Sequence, residues 1–166
     1  LIHWPIKEGR EASWKALEKL YADKRVKAIG VANYNIALLE ELKSSANIVP
    51  AVNQIEFSPW LFQEDLLNYC KAAGIQVQSY SPITRGLKFS DERLVILCKK
   101  YGKTSAQIVL NWHLQHGIST IPKSSKKERL VENFETIKFT LSSEDVKIMN
   151  SFNENFRICD DPQTYL

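Results

Sequence analysis

A single methionine, Met149, occurs in 166 residues, and the chain opens Leu1-Ile2-His3-Trp4-Pro5 with no initiator. Domains seldom begin inside a core strand, whose backbone groups need partners on both sides. The sequence is therefore expected to be the C-terminal part of a longer protein. Cysteine is scarce too. Cys70, Cys98 and Cys159 are odd in number and widely spaced, with no metal or redox spacing, which points to reduced thiols in a cytoplasmic protein. No apolar run is long enough to span a bilayer and no signal peptide is visible, so no membrane partner is expected. The net charge of +3 is too mild to imply nucleic acid. The first strand is not followed by a glycine-rich phosphate turn, which argues against a doubly wound open sheet.

What is present is the composition of an ordinary globular domain, 44% hydrophobic and 25% charged. Residues 1–4 read as a strand that delivers His3 at its carboxyl end. Trp14, Leu17, Leu20 and Tyr21 recur at helical spacing over 12–23. Strand 26–31 leads into the turn Asn33-Tyr34-Asn35, where Asn35 caps a helix that buries Leu38, Leu39 and Leu42. Strand 51–55, loop 57–62 and helix 64–73 follow, the helix closed by Gly74. Strand 75–80 then gives way to a loop over 81–86 and two helices, 91–101 and 105–115, the second capped by Thr104. Ser142 with Asp145 starts a final helix through about 152. Strands and helices alternate with short connections, and the strands show little alternating polarity. This is the pattern of an α/β fold with a parallel sheet covered by helices. Five strands are expected. A complete (β/α)8 TIM barrel takes about 250 residues, so the chain is expected to hold the last five β/α units of one such domain.

The stretch 117–133, GISTIPKSSKKERLVEN, is the most informative. A short strand over 118–121 turns at Pro122 into a helix whose first turns are expected to carry Lys123, Ser124, Ser125, Lys126, Lys127 and Arg129. Unpaired N–H groups, a positive dipole end, hydroxyls and cations together make a phosphate receptor that needs no metal. Charge alone reads equally as a solvated basic helix start. Position favours the receptor, because barrel enzymes place ligands at the carboxyl ends of their strands. His3, Asn33, Gln54, Tyr80 and the pair Lys123 and Ser124 stand at five successive strand ends. His113 and His116 lie near a helix C-terminus, where they suit the dipole, and are expected to be structural; three residues apart with no third ligand, they are not expected to make a metal site.

The segments LIHWP, IGVANYN, AVNQIEF, QSYSPI and IPKSSKKERLVENF resemble the aldo-keto reductase family in order and spacing, across essentially the whole chain. The resemblance implies an eight-unit barrel that binds NADPH or NADP and reduces aldehydes or ketones, a small-molecule carbonyl substrate, and a monomer when full length. It implies that His3 helps orient the substrate carbonyl and that Asn33 and Gln54 hold the nicotinamide carboxamide. Tyr80 would stack on the nicotinamide ring, while Ser81 and Ile83 belong to the loop beside the pyrophosphate. Lys123, Ser124 and Arg129 match a clamp on the adenosine 2′-phosphate, Glu132 and Asn133 match adenine contacts, and Trp4, with Trp60, would line the substrate pocket. The chemistry is consistent: a carboxamide offers one acceptor and two donors, and Arg grips phosphate through two parallel bonds.

Departures from the family pattern are visible. Ala32 replaces the usual serine before the carboxamide-binding asparagine, and Ile83-Thr84 replaces leucine-glycine in the pyrophosphate loop. The family's general-acid tyrosine and its lysine and aspartate partners precede the histidine, so these 166 residues alone are expected to be inactive. The alternatives are a non-catalytic barrel-derived module, used for cofactor binding or as a structural protein, and a half-barrel that pairs with a second copy.

Overall fold

Side-chain caps mark where four of the seven helices begin in the computed structural model, which describes residues 1–165. Asn35 accepts from the Leu38 N–H to open α2 (Ile36–Ser45), and Asp91 accepts from the Arg93 N–H to open α4 (Glu92–Tyr101). Thr104 forms a complete capping box with Gln107 at α5 (Ser105–Gln115). Ser142 accepts from the Asp145 N–H at α7 (Ser143–Asn150). Each oxygen satisfies an N–H that the helix itself cannot bond, which is why the sequence signals located these starts closely. The remaining helices are α1 (Arg10–Ala22), α3 (Glu64–Ala72) and α6 (Lys127–Phe134), and the strands are β1 (Val31–Ala32), β2 (Val52–Glu56), β3 (Gln76–Tyr80) and β4 (Ser119–Thr120). The first expected strand is present only as a parallel bridge between Ile2 and Val31. β1 and β4 are much shorter than the runs 26–31 and 118–121 that predicted them, while β2 and β3 lie within one residue of theirs.

The chain forms two compact units. The first contains α1, β1, α2, α3 and most of β2 and β3. Here β1 pairs in parallel with β2, Val31 opposite Asn53 and Ala32 opposite Gln54, and the Gln76 N–H donates to the Ala51 carbonyl at 3.0 Å. Gly30 permits this close approach, since a Cβ there would lie 2.5 Å from the Val52 carbonyl oxygen. Trp14, Val31, Tyr34, Leu38 and Leu39 fill the interior. The Glu18 carboxylate accepts from the backbone N–H groups of Asn47 (2.7 Å) and Ile48 (2.9 Å). Burial raises its pKa, but those bonds outweigh burial and leave it below the ordinary value.

The second unit contains the end of β3, α4, α5, β4, α6 and α7, with the Ile121 N–H donating to the Ser79 carbonyl at 3.2 Å. Helix α5 is its axis, buried at every position over 106–113. Trp112 is fully buried, as is Trp60, whose indole Nε1 donates to Asp91 at 2.8 Å. Trp60, expected beside the substrate, is therefore packed as a core residue. Helix α6 starts at Lys127, later than the basic cluster implied. Lys123, Ser124 and Ser125 lie in a turn, bent because the Ser124 hydroxyl accepts from the Lys126 N–H (3.1 Å) and donates to its carbonyl (3.3 Å). Among the described residues no helix is long and apolar enough to cross a membrane.

Candidate functional site

In the first unit three of the strand-end residues come together. The backbone of β1 and β2 continues into Asn33, whose N–H donates to the Gln54 carbonyl at 2.9 Å. Asn33 then turns left-handed (φ 65°), a conformation Asn tolerates better than most residues. The turn buries its side chain, and Nδ2 donates to the His3 carbonyl at 2.9 Å. Gln54 donates through Nε2 to Gln78 Oε1 at 2.6 Å. His3 is exposed, with its ring 5.6 Å from that of the half-buried Trp4. The amides of Asn33 and Gln54 are thus held in place by bonds to neighbouring segments before any ligand arrives.

In the second unit a cavity of about 560 Å³ opens between a loop, a turn and a helix. Ile83, Arg85, Gly86 and Phe89 line it from the loop after β3, and Lys123, Ser124 and Ser125 from the turn after β4. Helix α6 contributes Arg129, Glu132 and Asn133. Three cationic side chains face one carboxylate, and that carboxylate is engaged: Glu132 Oε1 accepts from the Thr104 hydroxyl at 2.6 Å. No side chain caps the N-terminus of α6. Unpaired N–H groups, hydroxyls and three cations are the donor set that a phosphate or pyrophosphate needs, and the volume suits a nucleotide.

Most of the residues expected to hold the nucleotide's phosphorylated end are in this lining: Ile83, Lys123, Ser124, Arg129, Glu132 and Asn133. Tyr80, half-buried at the end of β3, and Ser81 precede the lining residues and are not among them. Lys126 and Lys127 are exposed and also outside the lining, so two of the four clustered cations do not serve the cavity. Arg85 was not foreseen and supplies a cation in their stead. Its signal was its position, in a polar loop directly after a strand. That loop is also unusual in its backbone: Ser81, Thr84 and Arg85 all adopt positive φ (47°, 49° and 52°). Non-glycine residues held left-handed store strain of about 1–3 kcal/mol each, and such strain gathers at ligand sites.

His113 corrects another expectation. It is fully buried, with Nδ1 2.8 Å from the Val109 carbonyl oxygen and Nε2 3.0 Å from that of Phe57. Burial lowers its pKa to about 4, against the pull of both carbonyls. The ring is neutral at pH 7 and does not complement the helix dipole with charge. No cluster of metal-ligating side chains occurs among the described residues.

Comparison with known proteins gives one consistent result. The family model described as "Aldo/keto reductase family" matches residues 1–154. The chain is 45% identical over 166 residues to the glyoxal reductase of Bacillus subtilis (strain 168), covering 100% of this chain and 60% of that protein. It is 42% identical over 168 residues to the 9,11-endoperoxide prostaglandin H2 reductase of Trypanosoma cruzi (strain CL Brener), covering 99% and 59%. Among solved structures, the Bombyx mori aldo-keto reductase AKR2E4 in complex with NADP matches with a TM-score of 0.87 at 33% identity, covering 96% of this chain and 58% of that one. A mutant of Gox0644 in complex with NADPH matches with a TM-score of 0.93 at 37% identity, covering 98% and 61%. The order of strands and helices is thus that of the aldo-keto reductase barrel over about 60% of the length of these relatives. The chain belongs to the aldo/keto reductase family.

Proposed function

We propose that the protein of which these residues are part reduces an aldehyde or ketone to an alcohol with NADPH. The observation that carries this reading is the cavity with Arg85, Lys123 and Arg129 on its walls. NADPH supplies a hydride to the carbonyl carbon. The residues of the chain bind and orient. Lys123, Ser124 and Arg129 grip the 2′-phosphate, whose charge distinguishes NADP from NAD, and Glu132 and Asn133 contact the adenine. Ser81 and Ile83 border the pyrophosphate. In the first unit Asn33 and Gln54 hold the carboxamide with amides already oriented by His3 and Gln78. Tyr80 offers a flat face for the nicotinamide ring. His3 directs the substrate carbonyl and Trp4 lines the pocket. The glyoxal reductase among the relatives supports a small carbonyl compound as substrate class.

Calorimetric titration of the chain with NADP⁺ and NAD⁺ tests the reading. NADP⁺ is expected to bind at least about tenfold more tightly, the worth of one charge-assisted contact. Equal affinities, or no binding of either, overturn it. The same 166 residues are expected to bind NADP⁺ without catalysing NADPH oxidation by aldehydes, because no tyrosine general acid is assigned within them. Measured turnover by a sample of that mass overturns this second point.

A further inference from the structure

The loop after β3 has two sides. One lines the cavity through Ile83, Arg85, Gly86 and Phe89. The other carries Lys88, whose ammonium pairs with the Glu154 carboxylate and sits 4.2 Å from the centre of the Phe156 ring. Between the two sides the loop is a series of linked turns. Thr84 N–H donates to the Ser81 carbonyl, Gly86 to Ile83, Leu87 to Thr84, Phe89 to Gly86 and Asp91 to Lys88, at 2.8–3.2 Å. These turns connect the cavity side of the loop to the segment that carries Lys88.

The tail that Lys88 grips has no regular structure over 153–157. It is held by pegs instead. The Trp60 carbonyl accepts from the N–H groups of Glu154 (3.1 Å) and Phe156 (3.0 Å), and Asn153 Oδ1 accepts from the Phe62 N–H at 3.2 Å. The Ile158 N–H donates to Glu56 at 2.6 Å. Segment 57–62 is anchored to the core by the fully buried Trp60. Lys88 ties the tail to the cavity loop.

We propose that Lys88 is a positioning residue that couples the cavity to the C-terminal tail, so that a phosphate-bearing nucleotide in the cavity orders residues 153–158. The proposal rests on the cofactor reading above. A nucleotide that holds Arg85 and Gly86 restricts the loop, the turn series restricts Lys88, and Glu154 and Phe156 lose freedom to lift away. Coupling of this kind is reciprocal: loosening the tail weakens nucleotide binding by the factor by which the nucleotide tightens the tail.

Hydrogen exchange of the tail amides with and without saturating NADP⁺, alongside calorimetric affinity, tests it in the wild type and in Lys88→Met and Lys88→Arg. NADP⁺ is expected to slow exchange at Glu154, Phe156 and Ile158 by about fivefold or more in the wild type, as local opening is suppressed. Lys88→Met is expected to abolish the slowing while still binding NADP⁺, and Lys88→Arg to retain it. Slowing that persists in Lys88→Met, or binding to wild type without any slowing, overturns the coupling alone. No NADP⁺ binding to wild type overturns the cofactor reading and the coupling with it.

Discussion

Helices α5 and α6 belong to the same unit, yet they are opposites. Eight consecutive residues of α5 are buried, and no residue of α6 is. The polar side chains of α5 are spent on structure: Gln107 on the cap, Asn111 on a loop, His113 on two carbonyls. On α6, Arg129, Glu132 and Asn133 line a cavity, where only the Glu132 carboxylate is held among the described residues, by Thr104. A buried helix must pair every polar atom it carries, whereas an exposed helix next to a cavity is free to concentrate charge. Substitutions on α5 should therefore change stability, and substitutions on α6 should change binding.

The largest expected effect is on α5. Asn111 is 2% exposed and donates to the carbonyls of Thr136 (3.1 Å) and Phe139 (2.7 Å) while accepting from the Leu141 N–H (3.1 Å). Asn111→Ala leaves two buried backbone groups and one part-buried carbonyl without that partner. At about 1–3 kcal/mol for each buried unsatisfied group, a loss of about 3 kcal/mol is expected from denaturant unfolding. A loss below about 1 kcal/mol would remove the contrast between the helices.

The α5 start was legible in the sequence because Thr104 and Gln107 form a local signal, complete within four residues. The same holds for Asn35 before α2 and Ser142 before α7. The neutrality of His113 was not legible, since it depends on burial beneath segments distant in sequence, among them Phe57, 56 residues away. The start of α6 was misplaced because charge marks a cavity wall without distinguishing turn from helix; the Ser124 hydroxyl bond to Lys126 decides that. Arg85 escaped for the complementary reason: its loop has no helical or strand period, and only its placement opposite Lys123 and Arg129 makes it part of the site.

His113 gives the next effect. With a pKa lowered from 6.5 to about 4 in the folded chain, the unfolded state takes up the proton first as pH falls. Its contribution to stability is present above pH 6.5 and is lost between there and about 4. The expected decline is about 2 kcal/mol between pH 7 and pH 5, and His113→Gln should flatten that window. An unchanged slope in the variant would mean that the ring titrates normally.

On α6 the expected changes move from stability to binding. Arg129 is exposed and lines the cavity. Arg129→Ala is expected to leave stability within about 0.5 kcal/mol and to weaken binding of 2′,5′-ADP by about tenfold or more. Lys127→Ala, two residues away in sequence but outside the lining, should do neither. Equal losses for the two would reduce the site to bulk charge.

The smallest effect joins the two helices. The Thr104 hydroxyl caps α5 by accepting from the Gln107 N–H (3.3 Å) and donates to Glu132 on α6 (2.6 Å). Loss of an N-cap typically costs about 1 kcal/mol, so Thr104→Ala should lower stability by about that much, and Thr104→Ser, which keeps the hydroxyl, by much less. The substitution to alanine also releases the one carboxylate in the cavity lining from its partner. A carboxylate no longer held by a donor turns more freely toward Arg129 and Lys123 and competes with a phosphate for them. Thr104→Ala should therefore weaken 2′,5′-ADP binding as well, by a smaller factor than Arg129→Ala. If stability falls and binding is untouched, the hydroxyl serves α5 alone and the two helices are independent after all.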